Sequence, residues 1–74
     1  MKRILFLDTV HPILEEKLTA AGYVCEHNYT CSYAEALQII EPYFGIVIRS
    51  RLPVDKEFLA AAKSLKFIAR SGAG

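Results

Sequence analysis

The 74 residues leave room for one small domain, and they are 53% hydrophobic and 23% charged with a net charge of +1. That balance gives no electrostatic footprint for nucleic acid, and no apolar run approaches the roughly 18 residues of a membrane span. Asp8 interrupts the apolar stretch behind Met1-Lys2-Arg3 too early for a secretory leader, so a cytoplasmic setting is expected, with Cys25 and Cys31 as free thiols.

The first strand is expected over about Arg3–Leu7, where Ile4-Leu5-Phe6-Leu7 is continuously apolar, as in a central strand covered on both faces. A helix follows over Pro12–Ala21. Proline suits its first position and Gly22 its C-terminal cap, and Leu14, Leu18 and Ala21, with Ile13 beside them, form its inward stripe. Tyr23–His27 is short and mixed, hence an edge strand. The second helix covers Tyr33–Glu41. Ser32 and Glu35 form a capping box, Ala36, Leu37 and Ile40 face inward, and Pro42 ends it. Gly45–Ser50 is a second central strand, β-branched at its heart. Asp55 caps a third helix over Lys56–Ser64, with Phe58, Leu59, Ala62 and Leu65 as its buried stripe. Lys66–Arg70 is the last strand, and Ser71-Gly72-Ala73-Gly74 follows it.

The order β-α-β-α-β-α-β, with right-handed crossovers, predicts an α/β fold with a flavodoxin-like parallel sheet in the order 2-1-3-4. Ligands then belong at the carboxyl ends of the strands, near the switch between the first and third. In this arrangement one face of the third and fourth strands has no helix above it, so the chain is expected to be part of a larger domain or to self-associate.

Asp8-Thr9, Arg49-Ser50-Arg51 and Ser71-Gly72-Ala73-Gly74 share that rim. Arg49 offers a planar donor fork for a carboxylate or phosphate, Ser50 a hydroxyl, and Gly72, Ala73 and Gly74 backbone N–H groups with little obstruction. The second half of the chain, residues 38–74, carries a net +3 against −2 for residues 1–37, which fits a small anion. A solvated loop is the bland reading of these arginines, and Gly-x-Gly alone is a weak signal. A phosphoacceptor domain is disfavoured, because it needs an aspartate where the third strand ends in Arg49. His11 reads as a cap or surface residue. Tyr29, Tyr33, Tyr43 and Phe44 read as core-edge and loop anchors. Cys25, His27 and Cys31 match no familiar zinc spacing, so no metal is expected.

Val47-Ile48-Arg49-Ser50-Arg51, Val54-Asp55, Phe58-Leu59-Ala60-Ala61-Ala62 and Leu65 through Gly74, with Asp8 and Ala20-Ala21-Gly22, resemble the N-terminal region of D-isomer-specific 2-hydroxyacid dehydrogenases, most of all the phosphoglycerate type. The resemblance covers essentially the whole chain. It implies that residues 1–74 are part of a substrate-binding domain. Arg49 and Ser50 would lie beside the substrate's phosphate or nearby polar groups, and the backbone of Gly72, Ala73 and Gly74 would hold its carboxylate. It also implies an NAD-binding domain and catalytic arginine, glutamate and histidine residues that have no counterparts in this sequence, so the chain alone is expected to be inactive. Ser71 and Ala73 depart from the family's usual Ala and Val. A free-standing small-acid-binding, regulatory or oligomerisation module is the alternative.

Overall fold

The computed structural model describes residues 2–49 and 52–70. In chain order their elements are β1 (Arg3–Phe6), α1 (Pro12–Ala20), β2 (Val24–His27), α2 (Tyr33–Ile39), β3 (Gly45–Ile48), α3 (Lys56–Ala61) and β4 (Phe67–Arg70). The strands form one sheet in the order β2-β1-β3-β4, every pair parallel. This is the predicted α/β topology, with element ends a few residues shorter than the sequence pattern gave.

Local chemistry sets the helix ends. His11 Nδ1 accepts the Ile13 N–H at 3.1 Å, and Pro12 at the first position has no N–H to leave unpaired. Gly22 takes φ +99°, a conformation that costs a side-chain-bearing residue dearly. Ser32 and Glu35 form the capping box in both directions, Glu35 N–H to Ser32 Oγ at 3.2 Å and Ser32 N–H to Glu35 Oε1 at 2.8 Å. Asp55 Oδ1 accepts the Phe58 N–H at 3.0 Å and the Tyr33 hydroxyl at 2.6 Å. One carboxylate thus caps α3 and ties it to α2.

The two central strands of the sheet are buried on both faces. Leu5, Leu7, Ile46 and Ile48 point to the side covered by α2 and α3, where they meet buried Ala36, Ile40, Tyr43 and Phe58. Ile4, Phe6 and Val47 point to the other side, against half-buried Leu14 and Leu18 of α1. The expected stripe of α1 is shallower than its spacing indicated. Ala21 is exposed, Ile13 is 48% exposed, and no residue of the helix is fully buried. Its axis runs closest to β2, at the sheet's edge, where one flank stays wet. Leu59, also expected inside, is 48% exposed, because α3 is a short helix and Phe58, one step round it, takes the inward position.

Where α1 leaves β3 and β4 without a helix, rings cover the sheet. Tyr23 stacks on Phe44 with centroids 5.6 Å apart, Phe44 meets Phe67 edge-on at 6.0 Å, and Val47 is fully buried. Gly45 pairs with Phe67 across the ladder, and a Cβ at position 45 would overlap the Phe67 ring. Glycine is required there for close approach rather than for backbone freedom. Among the described residues no helix is long and apolar enough to cross a membrane.

Candidate functional site

Because all four strands run the same way, their carboxyl ends share one rim of the sheet. The ladder between β1 and β3 continues one residue past β1, with Leu7 N–H donating to Val47 O at 2.9 Å. The next residue, Asp8, therefore stands beside the tip of β3. Its Oδ2 accepts the backbone N–H of Arg49 at 2.6 Å, a charge-assisted bond stronger than an ordinary amide–carbonyl one. From the other side, Arg70 at the end of β4 donates Nη1–H to the carbonyl oxygen of Arg49 at 3.3 Å. The register that pairs Ile48 with Arg70 brings the two tips together.

The peptide groups of Arg49 are thus held from both neighbouring strands. Its guanidinium is not consumed in that anchoring, and the residue is exposed. A fixed backbone under an exposed planar donor fork is chemically suited to receive a carboxylate or phosphate. Of the five residues that the sequence assigns to substrate, Arg49 lies on the rim as expected. Ser50, Gly72, Ala73 and Gly74 lie outside the described residues.

Other charged groups are engaged with one another away from this point. Arg3 Nη2 and Nε reach the two carboxylate oxygens of Glu26 at 3.0 and 3.1 Å. The Tyr43 hydroxyl donates to Glu26 Oε1 at 2.6 Å, and the Arg3 guanidinium lies 4.6 Å from the centre of the Tyr43 ring. The Arg3 bonds, then that of Tyr43, hold the Glu26 carboxyl below its ordinary pKa. Burial first, and the bond to Glu26 second, push the Tyr43 phenol up. This cluster closes the α2 side of β1 and β2 and leaves little capacity for a ligand. On the α1 side, His27 Nε2 and Glu15 Oε1 are 2.7 Å apart, joining β2 to α1. Cys31 is buried and Cys25 half-buried, and no disulfide joins them. Among the described residues no three His, Cys, Asp or Glu side chains gather as a metal site.

The parts played by Asp8 and Arg70 were not read from the sequence. Asp8 was visible as a rim residue because it directly follows an apolar strand. The bond to a residue 41 positions away needs the strand order and the register. Arg70 was visible as the last residue of the fourth strand and as part of the segment, Leu65 through Gly74, that carries the family resemblance.

The sequence profile of the D-isomer specific 2-hydroxyacid dehydrogenase catalytic domain matches residues 4–74. A D-3-phosphoglycerate dehydrogenase of Archaeoglobus fulgidus is 38% identical over 66 residues, which are 85% of this chain and 12% of that protein. The crystal structure of the PH0520 protein from Pyrococcus horikoshii superposes with a TM-score of 0.82 at 21% identity, over 95% of this chain and 21% of that one. At that identity the superposition speaks for the fold. The chain spans only a small part of the length of either protein.

Proposed function

The chain belongs to the D-isomer specific 2-hydroxyacid dehydrogenase family, and from that premise we propose that residues 1–74 form part of a substrate-binding domain whose rim holds a small anionic D-2-hydroxyacid, D-3-phosphoglycerate in particular. Arg49 supplies the guanidinium, Ser50 a hydroxyl, and Gly72, Ala73 and Gly74 the peptide N–H groups that receive the carboxylate. The observation that carries this reading is the double anchoring of Arg49, by Asp8 at 2.6 Å and Arg70 at 3.3 Å, at the switch between β1 and β3, where open parallel sheets receive ligands. The distant phosphoglycerate dehydrogenase relative supports the choice of substrate.

The family's nicotinamide cofactor does not suit this chain's own residues. The turn after β1 would have to cradle a pyrophosphate, and it is Asp8-Thr9-Val10-His11, with no glycine and with a carboxylate. The helix behind it opens with Pro12, which has no N–H to offer. In this proposal NAD binding and hydride transfer belong to protein outside residues 1–74, and these residues recognise and orient the acid.

Calorimetric titration with D-3-phosphoglycerate tests the reading. The protein is expected to bind it, and Arg49→Ala to weaken binding about tenfold or more, as for loss of a hydrogen bond to a charged group. Wild-type protein that ignores the compound, or an Arg49→Ala variant that binds it unchanged, would refute the assignment. Residues 1–74 mixed with NAD and substrate are expected to bind the acid without producing NADH.

A further inference from the structure

We infer that Asp8 is a positioning residue of the substrate rim, one that acts on the acid only through the Arg49 side chain that it aims. The inference rests on the proposed rim and goes beyond it in giving a part in recognition to a residue outside the receiving set. β1 ends at Phe6 and β3 at Ile48, so Arg49 stands past the last paired residue of its strand. There Asp8 Oδ2 accepts its N–H at 2.6 Å, and Arg70 Nη1–H reaches its carbonyl oxygen at 3.3 Å. These two groups flank the Arg49 Cα. Holding both restricts φ and ψ, the two soft angles of the residue, and so sets the direction in which its Cα–Cβ bond leaves the chain. Of the two grips, that of Asp8 is the shorter, and its acceptor is a carboxylate, which makes the stronger bond.

The sheet is joined at this point without that carboxylate. A ladder links β1 to β3 from Ile4–Gly45 to Phe6–Val47, Leu7 N–H extends it to Val47 O at 2.9 Å, and Leu5, Leu7, Ile46 and Ile48 are buried beside it. Contact with the acid does not account for Asp8 either, since a carboxylate repels an anion. What remains is aim. Asp8 is half-buried beside an exposed Arg49, and a long arginine side chain gives up much rotamer freedom when it binds. A fixed point of departure lowers the ordering cost that binding must overcome. On this account the oxygen of Asp8 is useful to the rim and its charge is not. An amide oxygen in the same place would keep the hold and remove the repulsion.

The test titrates D-3-phosphoglycerate into wild-type, Asp8→Ala, Asp8→Asn and Arg49→Ala protein and into the double variant Asp8→Ala/Arg49→Ala. Asp8→Ala is expected to weaken binding about three- to tenfold, as for loss of one hydrogen bond. Asp8→Asn is expected to bind as tightly as wild type or more tightly. In Arg49→Ala protein, Asp8→Ala is expected to add no further loss, because residues that act as one unit do not contribute additively. The NMR signal of the Arg49 amide proton, deshielded by so short a bond, should move upfield in Asp8→Ala and much less in Asp8→Asn. Unchanged circular dichroism and thermal midpoint keep the comparison between folded proteins. Should Asp8→Ala unfold, Asp8→Glu, which displaces the carboxylate by one methylene, takes its place with the same expectation. Three results would each overturn the inference: wild-type binding by Asp8→Ala, an Asp8→Asn protein as weak as Asp8→Ala, or the same loss with and without Arg49. If Arg49→Ala still weakens binding in those cases, the substrate rim stands and only the role of Asp8 falls. If Arg49→Ala changes nothing, the rim itself is wrong and Asp8 falls with it.

Discussion

On the α2 and α3 side of the sheet, Leu5, Leu7, Ile46 and Ile48 meet Ala36, Ile40, Phe58 and Ala62, all of them buried. On the α1 side, Ile4, Phe6 and Val47 are the described residues that reach that depth, and Leu14 and Leu18 above them remain half-buried. Two helices cover the first face, leaving Ile68 at its β4 edge 39% exposed, whereas the second is covered by one helix over the edge and by the rings of Tyr23, Phe44 and Phe67. A helix contributes its whole inward stripe wherever it lies across the middle of a sheet. Over an edge it contributes less, and aromatic side chains from the strands and their flanks must fill in.

Removing one inward helix side chain from each face puts this contrast to its strongest test. Phe58→Ala is expected to cost about 3–5 kcal/mol, the usual figure for emptying a buried phenylalanine site. A core of this size supplies roughly 3–5 kcal/mol in all, so the variant should lose its cooperative urea transition. Leu18→Ala on the shallow face should cost only about 1–2 kcal/mol, part of the value for a fully buried leucine, and should still unfold cooperatively. Equal costs would mean that the two faces are sealed alike.

A smaller effect is expected where the ring cover meets the sheet. Gly45→Ala places a methyl group in the space of the Phe67 ring and should destabilise by about 1–3 kcal/mol, as overpacking does. Phe67→Leu in the same chain should recover most of that loss. A Gly45→Ala variant as stable as wild type, by the same denaturation curves, would show that the ring swings aside at no cost.

The finest effect is spectroscopic and belongs to the deep face. The bond to Asp55, with desolvation behind it, pushes the Tyr33 phenol from 10 up to about 12. The same bond, followed by that from the Phe58 N–H, lowers the Asp55 carboxyl below its ordinary 3.8. The raised phenol pKa means that its contribution to stability is complete below pH 10 and is lost as pH rises toward 12. The lowered carboxyl pKa means that its contribution is present above 3.8 and is lost as pH falls through the lower folded value. Asp55→Asn should bring the last step of the tyrosinate absorbance titration down toward 10, and Tyr33→Phe should remove it. Persistence of that step in Tyr33→Phe would assign it to another phenol.

The strand order, the parallel pairing and the three helix caps could all be read from the chain, because each depends on local signals: apolar runs of strand length, Ser32 with Glu35, Asp55, and Pro12 with Gly22. Burial depth could not. The spacing of Leu14, Leu18 and Ala21 gives the direction of a stripe, and its depth depends on which strands lie beneath. Strand ends were overdrawn at Tyr23 and at Arg49 for a similar reason, since extended-favouring residues continue past the last ladder bond. At the rim, the residue type of Arg49 pointed to an anion. The grips on its peptide groups by Asp8 and Arg70 join parts of the chain 41 and 21 residues away, and only the register brings them together.

The grip of Asp8 on Arg49 falls on the main chain, which every amino acid but proline offers in the same form. Whatever side chain but proline stands at position 49, the tip of β3 keeps that bond. Exchanging the arginine for a smaller or apolar residue should therefore retune which acid is preferred while the frame that presents it stays in place. If Arg49 receives the acid as proposed, selectivity and scaffold are separable at this position, which makes it a natural first target for redirecting the protein to a different acid.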